Sequence, residues 1–185
     1  MTAPLLLVTD IWGQHQTLDP LLAELAQHFP QVTVLDPYSG QRFVFNSDAD
    51  AYGYFQRRCS ARAYQQKLQQ RLDNADGKIN LLAFSAGANA AWPLLAQSNK
   101  VNKAALVYGS QIPTEAELAP KCPTQLWLCQ DDDGVKAQQS ALNQHADLVI
   151  SEQPHGYFNP RSQGYDPIAA TQDLAILIRY LQRQD

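Results

Sequence analysis

The sequence predicts an α/β fold in which about six mostly parallel strands form a sheet flanked by helices. Three observations support this prediction: short apolar runs recur along the chain, amphipathic segments separate them, and the runs are nearly continuous in their apolar character. Continuous apolar runs are typical of strands that are buried on both faces of a parallel sheet. Strands that alternate with helices form right-handed βαβ units, which build a doubly wound sheet.

The apolar runs give the predicted strands and the segments between them give the predicted helices. The six runs are Leu5–Val8, Val32–Leu35, Ile79–Phe84, Ala104–Tyr108, Gln125–Cys129 and Leu148–Ile150. Helical spacing of apolar residues is found at Leu18–Ala26, Tyr64–Leu72, Ser85–Leu95 and Ile168–Leu181. Ligands of such sheets bind beyond the carboxyl ends of the strands, so the chemistry is expected in the residues that follow each run.

Length and composition narrow the class of protein. A chain of 185 residues is expected to form a single domain, residues 1–185, and 45% hydrophobic with 17% charged residues excludes a disordered chain. A net charge of −4 with scattered basic residues argues against a nucleic-acid surface, and no apolar run approaches the roughly 18–20 residues that cross a bilayer. Cys59, Cys122 and Cys129 have neither disulfide nor metal-ligand spacing, so we expect a cytoplasmic protein without metal or cofactor.

A serine follows the third run, in the segment Ala83–Ala88. A strand that turns sharply into an Ala-rich helix at Ser85 matches the G-x-S-x-G nucleophile elbow, with Ala83 in place of the first glycine. Such a turn would project Ser85 Oγ out of the sheet and aim the following N–H groups at the atom that it attacks. Ser85 could equally be an ordinary N-cap residue. A dinucleotide-binding fingerprint would need more glycines than Gly87.

An activated serine needs a general base, and four histidines compete for that role. His28 ends the first predicted helix and His145 lies in a polar helical stretch, so both are expected at the surface. His15 follows the first strand without a supporting pattern. His155 follows the last strand in a loop, at the chain position that a Ser-Asp-His order requires.

The acid that would orient the base is expected after the fifth run. Asp131, Asp132 and Asp133 stand there, between Ser85 and His155 in the chain. One buried carboxylate would hold the imidazole in a single tautomer and stabilise the imidazolium. Spacing alone does not choose among the three aspartates, and two of them are expected in a solvated turn. The joint occurrence of serine, acid and histidine after separate strands favours a hydrolase-type site.

Further motifs are spread over nearly the whole chain. They are Val8–Gly13, Val34–Tyr38, Ala83–Ala88, Val107–Gly109, Asp132–Val135, His155–Tyr157 and Tyr165–Ala170. The first five segments resemble, in order, the motifs E-[IW]-[FW]-G, P-D-L-Y, G-x-C-x-G-G, Y-G and D-x-x-V of the dienelactone hydrolase family. The last two segments together resemble its motif H-G-F…Y-[DN]-x-x-A-A. The last match is the most specific. The resemblance implies an α/β-hydrolase fold, near-minimal at this length and without a separate cap domain.

The resemblance also assigns roles to residues. It implies that Asp132 is the triad acid and that the backbone N–H groups of Ile11 and Ala86 form the oxyanion hole. The implied reaction is hydrolysis of a small carboxylic ester or thioester through an acyl-enzyme. Ser85 would attack the carbonyl carbon, and His155 would take the serine proton and later protonate the leaving group.

Several positions depart from the family pattern. The namesake enzymes use a cysteine where this chain has Ser85 and a glutamate where it has Asp10. Ala83 and Ala88 replace family glycines, and Lys136 replaces a proline. These departures argue against ring opening of dienelactone itself and favour a general serine esterase or thioesterase.

The candidates for the substrate pocket are Asp10, Trp12, Tyr38 and Arg42. Trp12 and Tyr38 follow strand ends, where they would line the acyl pocket or else cover the edge of the core. Arg42 belongs to the segment Gly40–Ala63, which is rich in aromatic residues and arginine. As a lid, this segment would offer a guanidinium group to a substrate carboxylate; otherwise its aromatic residues pack on the sheet. Since no other stretch is long enough to cover the site, we expect an open, shallow pocket and a small or protruding acyl group.

Two interpretations from other classes remain open. A hydrolase fold retained as a binding or scaffold protein without turnover would be supported by a buried or misaligned Ser85, or by absence of labelling with a fluorophosphonate probe. A flavodoxin-like nucleotide or regulatory domain would require a phosphate-binding turn after the first strand, where Asp10–Gly13 offers a carboxylate and an indole instead. The expected ligand is a small ester or thioester, with neither nucleic acid nor membrane as a partner, and the oligomeric state is left open.

Overall fold

One parallel sheet organises residues 2–183, the part of the chain that the computed structural model describes. Its strands are β1 Leu5–Val8, β2 Val32–Leu35, β3 Ile79–Phe84, β4 Val101–Val107, β5 Thr124–Cys129 and β6 Asp147–Ser151. They lie in the order β2-β1-β3-β4-β5-β6, and every neighbouring pair is parallel. The predicted sheet of about six mostly parallel strands is thereby confirmed.

Strand β4 differs in extent from the apolar run that predicted it. It begins at Val101 rather than Ala104 and ends at Val107 rather than Tyr108. The first residues of β4 were missed because Lys103 is a charged residue type and so interrupts the apolar run, although its side chain is buried in the strand. Its Nζ donates a hydrogen bond to the carbonyl of Arg183 at 2.8 Å, which gives the buried ammonium group a partner near the amino end of β4.

Helices flank the sheet on both faces. Within the described residues they are α1 Asp19–His28, α2 Asp48–Arg58, α3 Ser60–Asp73, α4 Ala86–Leu95, α5 Val135–Leu142 and α6 Pro167–Gln182. Four of them overlap the predicted helices, whereas α2 was not predicted. Helix α5 was indicated only by the polar helical stretch around His145, and it ends three residues before that histidine. In residues 2–183 no helix has both the length and the apolar character that crossing a bilayer requires.

Alternate residues of each central strand point to opposite layers. Leu6 and Val8 of β1 belong to a core shared with α3, α4 and α5. Leu5 and Leu7 belong to a second core shared with α1 and α6. Both faces of the sheet are thus covered, and the described residues include no separate cap domain, as predicted.

The segment 40–63 consists of a loop, helix α2 and the first residues of α3. Ser47 caps α2, since its Oγ accepts a hydrogen bond from the backbone N–H of Asp50 at 3.1 Å. Five aromatic side chains meet near this segment at the carboxyl edge of the sheet, and we call them the aromatic cluster. They are Trp12, Tyr38, Phe43, Phe45 and Tyr54.

Candidate active site

Ser85 occupies the sharp turn between β3 and α4. Its φ of +48° and ψ of −114° lie in a region that residues other than glycine rarely adopt. The Ser85 side chain makes no capping hydrogen bond to α4. Instead, Ser85 Oγ lies 2.9 Å from Nε2 of His155. The hydroxyl therefore faces the histidine and not the helix that it precedes.

Gly87 allows α4 to approach β1 at this turn. A Cβ atom at Gly87 would lie 2.6 Å from the carbonyl oxygens of both Val8 and Thr9, a distance that only glycine avoids without moving the backbone. Ala83 stands where the elbow motif has its first glycine, and its side chain is fully buried in the core. The second small position of the elbow is therefore restricted to glycine, whereas the first accommodates a methyl group.

His155 stands between the serine and one carboxylate. Its Nδ1 lies 3.3 Å from Oδ1 and 3.4 Å from Oδ2 of Asp132, which follows β5. The Asp132 side chain is only 12% exposed, whereas Asp131 and Asp133 are exposed. Of the three consecutive aspartates, the structure brings Asp132 to the histidine. Serine, imidazole and carboxylate form a chain of polar contacts that can carry a proton from the hydroxyl to the ring.

The turn after β1 places the Ile11 amide at the same edge of the sheet. The carbonyl oxygen of Asp10, which shares a peptide plane with the Ile11 N–H, accepts hydrogen bonds from Gly13 N at 3.2 Å and Thr9 Oγ1 at 3.1 Å. On the other side, the Ile11 carbonyl accepts a hydrogen bond from Tyr38 Oη at 2.6 Å. Both peptide planes around Ile11 are thus held by hydrogen bonds to their carbonyl oxygens.

Two backbone amides at this edge are available to an incoming oxygen atom. The Ile11 N–H donates no hydrogen bond to any residue in the range 2–183. Ala86 is the first residue of α4, so its N–H has no acceptor within the helix. These are the two groups that the sequence resemblance assigned to an oxyanion hole, and neither donates a hydrogen bond to another described residue.

Asp10 is buried beneath this turn and is held by two donors. Its Oδ1 accepts a hydrogen bond from Trp12 N at 2.9 Å, and its Oδ2 accepts one from Asn159 Nδ2 at 2.6 Å. Burial raises the pKa of Asp10 to about 6, although both hydrogen bonds and the nearby His155 favour the ionised form. Asp10 therefore supports the backbone of the turn, and it also lines a cavity between α1 and α6 rather than the open surface beside Ser85.

The other predicted pocket residues lie beside the turn. Trp12 is buried, and its Nε1 donates to Asp48 Oδ1 at 3.0 Å. Tyr38 is also buried, with its ring inside the aromatic cluster. Arg42 is half exposed and forms an ion pair with Asp19 at 2.8 Å. The aromatic part of the segment 40–63 thus packs against the turn, and its Arg42 is engaged with α1.

Two residues of the site were missed by sequence reasoning, Asn159 and Asp48. Asn159 follows His155 by four residues in the same loop, so closeness to the predicted base was the only available signal. Asp48 joins Trp12 to the loop after β6, because its Oδ2 accepts hydrogen bonds from Ser162 Oγ at 3.3 Å and Gln163 N at 3.2 Å. No residue-type pattern links these three segments along the chain.

Ser85 and His155 lie at an open surface. The His155 side chain is 38% exposed, and Ser85 is half buried. A cavity of about 640 Å³ lies between α1 and α6, and its lining residues do not include Ser85, Asp132 or His155. Ser85 and His155 are therefore accessible from solvent at the carboxyl edge of the sheet, whereas Asp132 lies mostly buried behind His155.

Comparison with protein families gives one match over almost the entire chain. The model of the dienelactone hydrolase family matches residues 4–184. A search of curated proteins finds no match.

Solved structures similar to this chain cover nearly all of its length. A dienelactone hydrolase from Anabaena variabilis is 16% identical with a TM-score of 0.61, over 97% of this chain and 85% of the other. A dienelactone hydrolase-like promiscuous phosphotriesterase from metagenomic libraries is 15% identical with a TM-score of 0.62, over 98% and 87%. A monoacylglycerol lipase from Paleococcus ferrophilus is 11% identical with a TM-score of 0.65, over 98% and 96%. At these identities the likeness shows a shared fold and says nothing of substrate.

Proposed function

Because this chain belongs to the dienelactone hydrolase family, and is therefore a hydrolase, we propose that it is a serine hydrolase of small carboxylic esters or thioesters. In this proposal Ser85 is the nucleophile, His155 is the general base and acid, and Asp132 orients His155. The site needs no metal or cofactor for this chemistry. A cytoplasmic location is part of the proposal, and it is supported by three buried cysteines that form no disulfide.

One observation carries the proposal: the Ser85 hydroxyl leaves its own helix uncapped and lies 2.9 Å from His155 Nε2. A serine that merely opened a helix would turn its oxygen to the backbone N–H groups of the first turn. A positive φ at a non-glycine residue is costly, and such conformations persist where the fold holds them for function. Both features are expected of a nucleophile elbow.

The reaction begins when Ser85 Oγ attacks the carbonyl carbon of the substrate. His155 Nε2 takes the hydroxyl proton as the new C–O bond forms, and the imidazolium is stabilised through Nδ1–H by the Asp132 carboxylate. The 3.3 Å separation of Nδ1 and Asp132 Oδ1 is long for a charge-assisted hydrogen bond, and we expect it to shorten once the ring is charged. His155 then gives the proton to the leaving alcohol or thiol, which leaves an acyl group on Ser85.

Water completes the cycle by the same steps. His155 Nε2 accepts a proton from the attacking water, the tetrahedral intermediate collapses, and the proton returns to Ser85 Oγ as the carboxylic acid leaves. In both tetrahedral intermediates the negative oxygen is stabilised by the N–H groups of Ile11 and Ala86. Each such donor typically contributes ~10²–10³ in rate. Because both donors are main-chain groups, substitution of either side chain leaves them in place.

The proposed substrate class follows from the openness of the site and from the nucleophile. Ser85 and His155 lie at an accessible surface, which favours small or protruding acyl groups over substrates that need a deep enclosed pocket. Serine in place of the family cysteine and Asp10 in place of its glutamate favour a general ester or thioester over dienelactone. The Arg42–Asp19 ion pair offers no support for recognition of a substrate carboxylate by Arg42.

The test combines covalent labelling with turnover. Wild-type protein and Ser85→Ala are treated with a fluorophosphonate probe and assayed on short-chain p-nitrophenyl esters and acyl thioesters, and thermal melting checks that both are folded. We expect labelling of the wild type at Ser85 and a loss of at least ~10³-fold in turnover in the variant. Full turnover by folded Ser85→Ala contradicts the proposal. A folded wild type that is neither labelled nor active would favour a binding or scaffold protein.

A further inference from the structure

The cavity between α1 and α6 lies on the face of the sheet opposite α3 and α4. Its volume of about 640 Å³ falls within the range of pockets that hold small organic ligands. Its floor is formed by Leu7 and Phe84 of the sheet, and its walls by Leu21 of α1 and by Leu174 and Ile178 of α6. The part of the cavity that these five side chains line is apolar.

Polar groups line the cavity in two places. Glu24, His28 and Arg179 lie near the C-terminal ends of α1 and α6, and a second polar group lies at the carboxyl edge of the sheet. His15 lines this end and is only 7% exposed. The His15 Nδ1 is hydrogen-bonded to Thr17 Oγ1. The other ring nitrogen, Nε2, has no hydrogen-bond partner among residues 2–183. No side-chain nitrogen or oxygen that is sealed from solvent in this part of the chain lacks a partner, so Nε2 keeps some accessible surface. Because His15 is almost buried and lines the cavity, we infer that this surface faces the cavity.

The ionisable residues around His15 favour an uncharged ligand group at this end of the cavity. Burial, together with the positive charges of Arg161 and Arg42, lowers the pKa of His15 to about 4, so the ring is neutral near pH 7. With Thr17 bonded to Nδ1, Nε2 offers one donor or one acceptor, depending on the tautomer. Asp10 lines the same end and disfavours an anionic group once it is ionised. A hydroxyl or a carbonyl group matches this environment.

We propose that the cavity between α1 and α6 is a binding site for a neutral amphiphile, an aliphatic chain with one hydroxyl or carbonyl group that hydrogen-bonds to His15 Nε2. The chain of the ligand lies along Leu7, Leu21 and Leu174, and its polar end reaches the carboxyl edge of the sheet. This site is distinct from Ser85, Asp132 and His155, none of which lines it. Binding there does not depend on turnover at Ser85.

The test uses 1-octanol as the probe and the full chain labelled with ¹³C and ¹⁵N at histidine. We expect a saturable shift of the His15 ring resonances as 1-octanol is added, with a smaller shift at His145, which does not line the cavity. Octanoate and octylammonium, which have the same chain but a charged end, should need at least about tenfold higher concentrations to shift the His15 resonances, because a charge beside His15 is poorly compensated. The Ser85→Ala variant should bind 1-octanol as the wild type does, whatever its activity.

Variants of α6 locate the ligand. Leu174→Trp fills the cavity and should abolish the His15 shift, whereas Ile176→Trp, on the exposed side of the same helix, should leave it unchanged. His15→Phe keeps a ring of similar shape but removes Nε2, and calorimetry should show at least about fivefold weaker binding of 1-octanol. Absence of a saturable shift up to the solubility limit of 1-octanol, or equal binding by folded His15→Phe and wild type, overturns the proposal.

Discussion

Asn159 Nδ2 donates a hydrogen bond of 2.6 Å to Oδ2 of Asp10, across 149 positions of the sequence. This bond joins the loop that carries His155 to the turn that carries the Ile11 amide. Asp10 is buried, and its burial raises the pKa to about 6 from an ordinary value of 3.8. The link between the two halves of the site therefore depends on a carboxyl group that is costly to ionise.

Asp10 should make the stability of the protein fall as pH rises through weakly acidic values. In the unfolded chain Asp10 ionises near 3.8, and in the fold near 6, so between these values the folded state holds more protons. Stability is therefore unaffected by Asp10 below about pH 4, declines with rising pH, and reaches its full loss of about 3 kcal/mol above about pH 6. Chemical denaturation of wild type and Asp10→Asn from pH 4 to pH 7.5 measures the effect.

The difference in unfolding free energy between wild type and Asp10→Asn isolates this group, because all other titrating groups are shared. We expect that difference to decrease by about 3 kcal/mol across the range and then to stay constant. In Asn159→Ala, loss of a donor to the ionised form should extend the decline to higher pH. A difference that is flat from pH 4 to pH 7.5 would contradict the raised pKa.

Asp132 should be distinguishable from its two neighbours by kinetics. Asp132→Asn removes the charge beside His155 Nδ1 and should lower kcat by roughly 10²–10⁴-fold with little change in KM. Asp131→Asn and Asp133→Asn are matched controls in the same exposed turn, and each should stay within about twofold of wild type. Steady-state kinetics on one p-nitrophenyl ester gives all three values. A larger loss in either control than in Asp132→Asn would mean that Asp132 is not the acid.

Tyr38 should act on the oxyanion hole through the backbone. Tyr38→Phe removes the donor to the Ile11 carbonyl and loosens the peptide next to the Ile11 N–H. A hydrogen bond is typically worth about 1 kcal/mol, which corresponds to about a fivefold decrease in kcat with KM unchanged. Tyr54→Phe is the matched control, since its ring packs 5.4 Å from that of Tyr38 without a hydrogen bond to Ile11. Equal kinetics for the two variants would show that Tyr38 only fills space.

The strands were predictable because burial on both faces leaves an uninterrupted apolar signal, as in Ile79–Phe84. Helix α2 could not be predicted, because it buries only Ala51 and Phe55 and exposes most of its polar residues. Two buried positions four residues apart are too few to stand out as a period in a sequence. The extent of β4 was also hidden, since Lys103 is a charged residue type but is buried in the strand.

The order of the proposed catalytic residues along the chain could be predicted. The residues that hydrogen-bond to the turn beside them could not. Ser85 and His155 each follow a buried strand, and parallel strands bring such positions to one edge of the sheet. The choice of Asp132 over its neighbours came only from the family resemblance, and the geometry of the turn is what separates them. Asn159 and Asp48 contact the site from loops whose paths are set by tertiary packing, which leaves no periodic signal.

Gly87 should be the least tolerant small residue of the elbow. In Gly87→Ala the new methyl carbon would start 2.6 Å from two backbone carbonyl oxygens, those of Val8 and Thr9, so α4 must move away from β1. Displacements of this kind typically cost about 1–3 kcal/mol, and here they also shift Ser85 and the Ala86 N–H. We expect Gly87→Ala to lower the free energy of unfolding by about 2–3 kcal/mol and to lower kcat by more than about tenfold.

Gly77→Ala is the matched control for Gly87→Ala, because a Cβ atom at Gly77 would have no other heavy atom within 4 Å. This control should change neither the free energy of unfolding nor kcat appreciably. Urea denaturation and ester turnover, measured on the same preparations, give both quantities for the two variants. A Gly87→Ala protein as stable and as active as Gly77→Ala would mean that α4 and β1 are not held at this distance in solution.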